Sequence, residues 1–394
     1  MNYPETLAWI HGTERFGSRL GLGRMGRLLH RMGDPHLKVP YIHVAGTNGK
    51  GSTTTMIASA LTAGGFKTGK FISPFILEFR ERMQIDSEMI PEETLAALAT
   101  RLRPIAEEFK AAGDPPTEFE LVTVLGLTWF AEAGCDIAVL EVGLGGRLDA
   151  TNIIPPPLVA VITRIDYDHT AILGDTLAAI AGEKCGILKR GSTVICYPDQ
   201  EEEALAVIRR RAKEEDDPLI RPDRTALSVL SADLTGSRIL YRGQEIFIPL
   251  PGPHQVLNTI TAVEALNALS SSRFALPPSA IAAGIAAARF PARLELLRQS
   301  PPVLVDGAHN PNGGRALCEA LKALDLHDLT AVVGMLRDKD CLPVLRMMAP
   351  YCTRMIITTV PNPRSCPAEE FAELARGVCR DITICHNCEE AARL

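Results

Sequence analysis

A glycine-rich loop with one lysine carries the strongest chemical signal in the sequence. It reads Gly46-Thr47-Asn48-Gly49-Lys50-Gly51-Ser52 and lies between a predicted strand and a predicted helix. Glycines let backbone N–H groups approach phosphate oxygens, a helix N-terminus adds positive potential, and a lysine reaches the outer phosphates. The loop departs from the standard Walker A pattern, because Val44 occupies the first glycine position and Gly51 separates the lysine from the hydroxyl residue. The alternative is a plain glycine-rich turn, but the strand–loop–helix context favours phosphate binding.

Residues at the ends of predicted strands could hold a metal ion beside that loop. Glu141 lies near the end of the apolar strand IAVLEV, and His169 follows the strand LVAVITRI. Ligands of open parallel sheets gather at these strand ends, so both side chains could face a nucleotide and hold magnesium that bridges phosphates. Taken alone, Glu141 is equally a polar strand terminus, and His169 is equally a hydrogen-bonding loop residue. Ser73 follows another short strand and could add a hydroxyl ligand, or it is a turn residue before Pro74.

Two further segments carry weaker signals. The composition and periodicity around Lys184 indicate a surface lysine. Asp306 and His309 follow the predicted strand VLVD and could bind a ligand in a cleft. The same segment is also explained as a strand-to-helix turn, with Asn310 as the N-cap and Pro311 as the first helical residue.

Short apolar strands alternate with helical patterns along most of the chain. Buried strands are predicted at 41–45, 137–142, 158–165 and 193–196. Continuous apolar strands separated by helices indicate a parallel sheet covered on both faces. The segment RILY-RG-QEIFIPL predicts a hairpin, an antiparallel addition to the first domain. Beyond a break near 290–302 the βα alternation restarts, so we expect a first domain at 1–295 and a smaller α/β domain at 296–394.

Composition excludes several classes of protein. Of 394 residues, 46% are hydrophobic and 22% are charged, which is typical of globular proteins and excludes a disordered chain. The net charge of −6 offers no basic field for nucleic acid. No apolar stretch approaches the roughly 20 residues of a membrane span, and the N-terminus lacks the pattern of a secretory signal. We therefore expect a cytoplasmic monomer that binds neither nucleic acid nor a membrane.

The ten cysteines fit a reducing compartment, because they show no regular disulfide spacing. One pair, Cys385 and Cys388, has the CxxC spacing of half a zinc site. No second CxxC accompanies it, so two ordinary cytosolic cysteines are the favoured interpretation.

Several ordered segments resemble the folylpolyglutamate synthase family, including its bifunctional dihydrofolate synthase form, in the Mur ligase superfamily. They are HVAGTNGKGST, FISPFILEFRERM, LEVGLGGRLDATN, DHTAILGDTLAAIAGEKCGILK, FPARLE, DGAHNP and VVGMLRDKD. The similarity extends from Tyr3 to about Ala392. It implies an α/β fold of the Mur ligase kind, in which a P-loop ATPase domain with a parallel sheet precedes a smaller Rossmann-like C-terminal domain.

The resemblance also implies a reaction, the ATP-dependent addition of L-glutamate to the γ-carboxylate of a folate. The folate carboxylate attacks the γ-phosphate of ATP, giving an acyl phosphate and ADP, and the amine of L-glutamate then displaces phosphate. Charge accumulates on the transferring phosphoryl oxygens, so a P-loop lysine and metal ions suit this chemistry. The implied cofactors are two magnesium ions and a carbamylated lysine, with ATP as co-substrate. The bifunctional form would also convert dihydropteroate to dihydrofolate.

The resemblance assigns roles to individual residues. The implied nucleotide-binding residues are Thr47, Asn48, Gly49, Lys50, Gly51, Ser52, Asn258, Arg293 and Asp306. The implied magnesium ligands are Ser73, Glu141, His169 and Lys184, with Lys184 carbamylated. The implied catalytic residues are Lys50, His169 and Lys184. The implied substrate-binding residues are Arg82, Asp149, Ala150 and His309, with 17–20 beside the pterin end. Without the resemblance, Asn258 would be interpreted as a helix-surface residue and Arg293 as a linker charge.

Two departures from the family pattern leave alternatives open. Phe75 stands where many bifunctional members have histidine, which favours glutamate addition to reduced folates over a bifunctional enzyme. The family pattern continues through a further helix and strand beside the glutamate pocket, whereas this chain ends at Leu394, so we expect a short C-terminal domain. The alternatives are another superfamily ligase acting on a different carboxylate, such as a cell-wall precursor, and a non-catalytic nucleotide-binding protein. The segments GGRLDATN and FISPF favour the folate ligase over the former.

Overall fold

The computed structural model describes residues 1–13 and 21–394, which divide into two compact units. Unit 1 comprises Met1–Ser228, Ile239–Pro249 and Leu257–Phe290, and unit 2 comprises Val229–Arg238, Leu250–Val256 and Pro291–Leu394. The predicted pterin-side segment at 17–20 lies outside the described residues. Among the helices of 1–13 and 21–394, none is long and apolar enough to cross a lipid bilayer.

Strands and helices alternate along the chain as the sequence predicts. The strands of the largest sheet are β1 (Tyr41–Ala45), β2 (Thr68–Phe71), β3 (Met83–Ile85), β4 (Glu88–Met89), β5 (Ile137–Glu141), β6 (Val159–Ile162), β7 (Thr193–Cys196) and β8 (Leu219–Ile220). The helices up to residue 287 are α1 (Tyr3–His11), α2 (Gly23–Arg31), α3 (Lys50–Ala63), α4 (Glu92–Ala111), α5 (Glu118–Glu132), α6 (Thr170–Leu173), α7 (Leu177–Lys184), α8 (Glu202–Glu215), α9 (Pro253–Asn267) and α10 (Pro278–Ala287).

The largest sheet has the strand order β4-β3-β2-β5-β1-β6-β7-β8. Every neighbouring pair from β2 to β8 is parallel, and β3 and β4 add antiparallel at one edge. The predicted parallel sheet is therefore confirmed. The central strands β1, β5 and β6 are buried along their whole length. Their carboxyl ends lie at one edge of the sheet, where ligands of such folds bind.

Helices cover the sheet, and residue alternation decides which side chains face which layer. Leu140 in β5 joins the apolar cluster formed with α1, α2, α4 and α5, and α7 and α8 pack over β6 and β7. Successive strand residues point to opposite faces. Glu141 therefore points away from the Leu140 cluster, toward the side on which α3 packs against β5.

A smaller sheet follows, built from β9 (Leu227–Asp233), β10 (Gly236–Tyr241) and β11 (Gln244–Ile248) in the order β11-β10-β9. The predicted hairpin RILY-RG-QEIFIPL corresponds to β10 and β11, which are hydrogen-bonded neighbours. The hairpin prediction is confirmed.

Unit 2 contains the second run of βα alternation. Its strands are β12 (Glu295–Gln299), β13 (Pro302–Val305), β14 (Leu329–Val333), β15 (Cys352–Thr358) and β16 (Asp381–Cys385). Its helices are α11 (Pro311–Ala323), α12 (Cys341–Met348), α13 (Ala368–Arg376) and α14 (Cys388–Arg393). The strands β14, β15 and β16 form a parallel sheet, which confirms a smaller α/β fold.

One strand of unit 2 departs from simple βα alternation. β13 pairs antiparallel with β12 in a separate two-stranded sheet rather than joining β14. Only a short turn separates β12 from β13, so closing that loop costs little entropy. Near the other end of the chain, Cys385 is buried at the end of β16 and Cys388 is exposed at the start of α14, both as free thiols.

Candidate nucleotide and substrate site

The glycine-rich loop 46–52 leaves β1 and enters α3. Gly46 has φ of 152°, and a Cβ at this position would lie 1.8 Å from Thr163 Oγ1. Gly49 has φ of 86°, and a Cβ there would lie 2.4 Å from Asn258 Oδ1. Both positions require glycine, because a side chain would meet strain and a clash together. The contact at Gly49 also shows that the Asn258 side chain packs directly against the loop.

The N–H groups of the loop serve two different purposes. Those of Thr47 and Asn48 donate to the Arg164 carbonyl at 2.8 and 3.2 Å, and the Thr47 hydroxyl donates to the Asp166 carbonyl at 2.9 Å. These two residues therefore brace the loop against the chain that follows β6. Of the six loop residues predicted to bind a triphosphate, these two have backbone N–H groups that already donate to a carbonyl of the protein.

The first turn of α3 is the part of the loop suited to an anion. Thr53 N–H donates to the Gly49 carbonyl at 2.9 Å, which is the first hydrogen bond of the helix. The N–H groups at 50–52 lie in the turn before it, where an α-helix provides no backbone acceptor of its own. Such groups, with the positive end of the helix dipole, favour phosphate. The Lys50 side chain folds over the same turn, where its Nζ donates to the Thr47 carbonyl at 3.2 Å.

Glu141 connects this turn to the segment that contains Ser73. The Glu141 side chain is only 5% exposed at the end of β5. Its Oε2 accepts the Ser73 N–H at 3.1 Å and lies 3.4 Å from the position that a Cβ would take at Gly51. Carboxylate and hydroxyl oxygens are the ligands that magnesium prefers. The structure therefore brings two of the predicted magnesium ligands together beside the first turn of α3.

Two charged residues that sequence reasoning missed support the Ser73 segment. The Glu81 carboxylate accepts the N–H groups of 76–78 at distances of 2.8 to 2.9 Å. Lys70 in β2 is 6% exposed, and burial lowers its pKa to about 8 although Glu81 and Glu141 act in the opposite direction. A lysine inside the buried strand TGKF was the available signal for Lys70.

Lys184 lies beneath the glycine-rich loop, and the prediction of a surface lysine is wrong. Its side chain is 5% exposed at the end of α7, and its Nζ donates to the Gly46 carbonyl at 2.7 Å. Burial, together with the positive charge of Lys50, lowers the pKa of Lys184 to about 7, although Asp168 and Asp149 act against this shift. The local pattern failed because the element that buries this lysine comes from a distant part of the chain.

His169 is the most open of the predicted metal ligands. Its side chain is 46% exposed, at the residue that precedes the one-turn helix α6. Its N–H donates to Asp168 Oδ1 at 2.9 Å, and its Nε2 lies 3.7 Å from Asp168 Oδ2. Asp168 is also one of the carboxylates that raise the pKa of Lys184. The loop after β6 therefore carries both His169 and a carboxylate that interacts with Lys184.

A cavity of about 260 Å³ opens beside Ser73. Its lining includes Ser73, Pro74, Arg82, Phe119, Asp149 and Ala150. Three of the predicted substrate-binding residues, which come from two distant segments of the chain, thus line one cavity together with a predicted magnesium ligand.

Arg82 is held at the wall of this cavity by aromatic rings and a carboxylate. Its guanidinium carbon lies 5.2 Å from the ring centroids of both Phe75 and Phe79. Its Nη2 lies 3.4 Å from Glu118 Oε1, and a second Glu118 oxygen lies 3.3 Å from His11 Nδ1. Stacking on two rings restricts the guanidinium to one orientation while retaining its charge.

Asp149 is a buried carboxylate with several backbone donors. Its Oδ2 accepts the Leu144 N–H at 2.9 Å, and its Oδ1 accepts the Thr151 N–H at 3.0 Å. Burial raises the pKa of Asp149, and these hydrogen bonds act against that rise. The donors therefore stabilise a carboxylate that burial alone would disfavour.

Unit 2 contains a second group of predicted residues. Asp306 follows β13, and its two carboxylate oxygens accept the N–H groups of Ala308 and Leu294, each at 2.8 Å. Asn310 caps α11 by accepting the Gly313 N–H at 2.7 Å. The predicted strand-to-helix turn is confirmed, and a ligand-binding role of Asp306 stays a prediction.

The other two predicted residues of unit 2 also contact backbone. The Arg293 guanidinium donates to the Ala292 carbonyl at 3.1 Å. His309 is exposed, and its Nδ1 lies 2.8 Å from the Gly307 carbonyl. His309 is thus exposed at the turn that joins β13 to α11, and the half-buried Arg293 side chain lies against Gly307 of that turn.

Both parts of the chain match known protein families. Residues 44–266 match the Mur ligase middle domain, and residues 292–394 match the Mur ligase, glutamate ligase domain.

Individual proteins are similar over nearly the whole length. The folylpolyglutamate synthase of Lacticaseibacillus casei is 38% identical over 395 residues, which cover 97% of this chain and 91% of that protein. The dihydrofolate synthase/folylpolyglutamate synthase of Bacillus subtilis (strain 168) is 36% identical over 379 residues, covering 94% and 88%. A solved FPGS–AMPPCP–folate complex superposes with a TM-score of 0.83 at 34% identity, covering 100% of this chain and 99% of that one.

Proposed function

This chain belongs to the folylpolyglutamate synthase/dihydrofolate synthase family of ATP-dependent glutamate ligases, and on that premise we propose that it adds L-glutamate to the γ-carboxylate of a reduced folate. The folate carboxylate attacks the γ-phosphate of ATP, which forms an acyl phosphate and releases ADP. The amine of L-glutamate then attacks the acyl carbon, phosphate leaves, the amide bond forms, and the surplus proton of the amine passes to solvent.

One observation carries this proposal: Glu141 and Ser73 join the phosphate-binding turn to the substrate cavity. Glu141 contacts the Ser73 N–H at 3.1 Å and lies beside Gly51 in the first turn of α3, and Ser73 lines the cavity. A γ-phosphate at the turn and a carboxylate in the cavity would share one edge of the sheet. Holding two reactants side by side is a large part of what this reaction requires.

Lys50 and the first turn of α3 are the proposed phosphate contacts. Phosphoryl transfer involves little covalent chemistry by the protein, and its rate depends on positioning and on stabilising charge. The N–H groups at 50–52 and the Lys50 ammonium supply positive charge where the γ-phosphoryl oxygens would lie. Thr47 and Asn48 contribute by bracing the loop, as their bonds to Arg164 indicate.

The donor set at the strand ends fits magnesium. Glu141 and Ser73 offer a buried carboxylate and a hydroxyl, and His169 adds a ring nitrogen from the loop after β6. When bound, magnesium would neutralise charge that develops on the phosphate oxygens. In our proposal Glu141, Ser73 and His169 are the residues that would hold it.

Lys184 is suited to carbamylation by its surroundings. Carbamate formation needs a neutral amine, and a pKa of about 7 makes a large fraction of this amine neutral at physiological pH. The amine nitrogen bonds to the carbon of carbon dioxide and loses a proton, which converts a buried cation beside Lys50 into an anion. That anion would relieve the repulsion from Lys50 and supply oxygens for the second magnesium ion.

The cavity residues are the proposed folate contacts. Asp149 presents a buried carboxylate that can accept N–H groups of a pterin ring, and Ala150 forms apolar wall beside it. Arg82 offers a positive charge to a substrate carboxylate. Phe75 stacks on Arg82 at 5.2 Å, at the position where many bifunctional relatives have histidine. We therefore propose glutamate addition to reduced folates as the main activity.

Asn258 in unit 1 and three residues of unit 2 have further proposed roles. Asn258 packs against Gly49 and is the proposed contact to the nucleotide beyond the phosphates. Arg293 and Asp306 are proposed as further ATP contacts, and His309 as a contact to L-glutamate. These assignments follow the family motifs FPARLE and DGAHNP at the positions described above.

Measuring ADP release tests the proposal against its competitors. We expect release that requires both a reduced folate and L-glutamate, with a glutamylated folate as product. Release that instead requires another carboxylate would indicate a different ligase of the superfamily. Nucleotide binding without release under any of these conditions, in the chain and in a form lengthened at its C-terminus, would indicate a non-catalytic protein.

A further inference from the structure

A buried chain of hydrogen bonds runs from β1 to the substrate cavity. His43, in the middle of β1, is completely buried, and its Nε2 lies 2.8 Å from Thr151 Oγ1. Thr151 Oγ1 in turn lies 2.5 Å from Asp149 Oδ1, and Asp149 lines the cavity. A histidine sealed inside the sheet is therefore two hydrogen bonds away from a carboxylate that faces the substrate.

The direction of these hydrogen bonds follows from the number of protons available. An ionised carboxylate only accepts, and a hydroxyl has a single hydrogen to donate. Thr151 must therefore give its hydrogen to Asp149 and accept from His43. His43 can donate only if its Nε2 carries the proton.

The surroundings of the ring favour this tautomer. The other ring nitrogen, Nδ1, is buried, and no residue of 1–13 or 21–394 forms a hydrogen bond with it. A protonated Nδ1 would be a buried orphan donor, which proteins avoid more strictly than an unsatisfied acceptor. Burial and the positive charge of Lys189 lower the pKa of His43 to about 3, so the ring is neutral. At the other end of the hydrogen-bond chain, Asp149 interacts electrostatically with Lys184 and acts to raise the pKa of that lysine.

We propose that His43 is a positioning residue for the substrate cavity, which holds the Thr151 hydroxyl as a donor to Asp149 and thereby orients that carboxylate toward the ligand. His43 itself touches neither substrate nor phosphate. It acts through Thr151, and its effect falls on the folate side of the reaction rather than on the nucleotide side. The identity of the ligand as a folate rests on the proposed function, whereas the hydrogen-bond chain does not.

The tautomer can be measured without any substrate. In the full chain labelled with ¹⁵N-histidine, the signals lost in His43→Gln identify His43. We expect a protonated Nε2 and a bare Nδ1 at neutral pH, unchanged on acidification to about pH 5.5, because the ring is held neutral. A neutral ring protonated at Nδ1 would overturn the proposal, since its bare Nε2 could only accept, and Thr151 could then no longer donate to Asp149 while accepting from His43.

Substrate affinity tests the positioning role. His43→Leu removes the donor, and we expect the Kd and KM for a reduced folate to rise about tenfold, the effect of losing one hydrogen bond that orients a charged group. The Kd for ADP should change less than about twofold, because the loop 46–52 does not depend on this chain of bonds. His43→Gln restores a donor near the Nε2 position, and we expect it to recover most of the folate affinity.

Tyr41→Phe is the matched control. Tyr41 lies on the same strand and the same face, and its buried hydroxyl, like Nδ1 of His43, has no hydrogen-bond partner among the residues that the structure describes. We expect folate and ADP affinities like those of the wild type. Equal losses in His43→Leu and His43→Gln, or a parallel loss of ADP binding, would mean that His43 only fills space. If the wild-type chain binds no reduced folate while the tautomer is as expected, the proposed function fails and the hydrogen-bond chain stands.

Discussion

The two units use the charged side chains of their predicted site residues in different ways. In unit 1, Glu141, Asp149 and Lys184 are buried. Glu141 accepts the Ser73 N–H, Lys184 donates to the Gly46 carbonyl, and Asp149 lines the cavity. In unit 2, one Asp306 oxygen accepts the Ala308 N–H within its own turn, the other accepts the Leu294 N–H immediately before the neighbouring strand β12, and His309 is exposed. Unit 1 thus has its charged groups arranged by tertiary packing, whereas unit 2 uses them first to build local structure.

The cause lies in how each unit covers its strands. The central strands of unit 1 are buried throughout, and β13 in unit 2 is half-exposed and pairs only with β12. Charges interact more strongly where water is excluded. Substitutions in unit 1 should therefore change the chemistry more than the stability, and substitutions in the unit 2 turn should do the reverse.

The largest expected effect is at the phosphate-binding turn. Lys50→Ala should lower kcat for ADP release by roughly 10³-fold, because it removes a charge that stabilises the transferring phosphoryl group. The urea unfolding midpoint should stay close to that of the wild type, since Lys50 is only half-buried. Lys213→Ala, an exposed lysine on α8, is the matched control and should have no effect. Near-normal turnover in Lys50→Ala would contradict the assignment of this loop.

The next effect concerns Lys184 and carbon dioxide. Lys184→Ala should lower kcat by about 10²-fold, the usual size of effect when one charged contact to the reacting groups is lost. The wild type should lose activity when carbon dioxide is stripped from the buffer and regain it with bicarbonate, because the neutral amine must be carbamylated. The variant should not respond to bicarbonate. A bare amine at Lys184 Nζ in a well-resolved complex with magnesium and ATP would count against the carbamate.

A smaller effect should separate the two units most directly. Asp306→Asn replaces one accepting oxygen by an NH₂ group that faces a backbone N–H, so unit 2 should lose about 1 kcal/mol of stability. We expect kcat/KM to fall less than about tenfold. Asp325→Asn, at an exposed carboxylate of the same unit, is the control. A loss of activity comparable to that of Lys50→Ala, at unchanged stability, would remove the distinction between the units.

The effect that is smallest at neutral pH is a pH dependence of stability, which each unit should show independently and which grows as the solution is acidified. Burial lowers the pKa of His43 in unit 1 to about 3 and that of His254 in unit 2 to about 4. Between pH 4 and 6.5 the unfolded chain binds protons that these folded groups do not, so each unit loses stability as pH falls, by at most about 1.4 kcal/mol per pH unit for each histidine.

Tryptophan fluorescence can assign this pH dependence to a unit. Both tryptophans, Trp9 and Trp129, lie in unit 1. His43→Gln should therefore flatten the acid dependence of the fluorescence-detected unfolding midpoint, and His254→Gln should leave it unchanged. A flattened curve in the His254 variant would show that the units do not unfold separately.

Much of the fold was predictable because its signals are local. The strands at 41–45 and 193–196 have the predicted bounds, and the order of βα alternation follows in both halves of the chain. The family predicted from the motifs is confirmed by similarity over nearly the whole chain. The pairing of β13 with β12 was not predicted, because apolar runs indicate strands without indicating their partners.

For the candidate site, the sequence indicated which residues to examine and missed how several of them are used. The strand–loop–helix placement of Lys50 and the strand-end position of Glu141 were both correct. Lys184, Lys70 and His43 were interpreted wrongly or overlooked, because nothing in a single segment shows that a charged or polar side chain will be enclosed by others.

By itself, the sequence determined the glycine loop, the strands that lead to it and the family to which the chain belongs, since each depends on neighbouring residues or on ordered motifs. Only the tertiary structure decided which ionisable groups lose their water and what they meet instead. Lys184 and the Gly46 carbonyl are 138 residues apart in the chain, and His43 and Thr151 are 108 residues apart. Burial and hydrogen bonding over such separations arise from packing, and packing brings together segments that no local pattern relates.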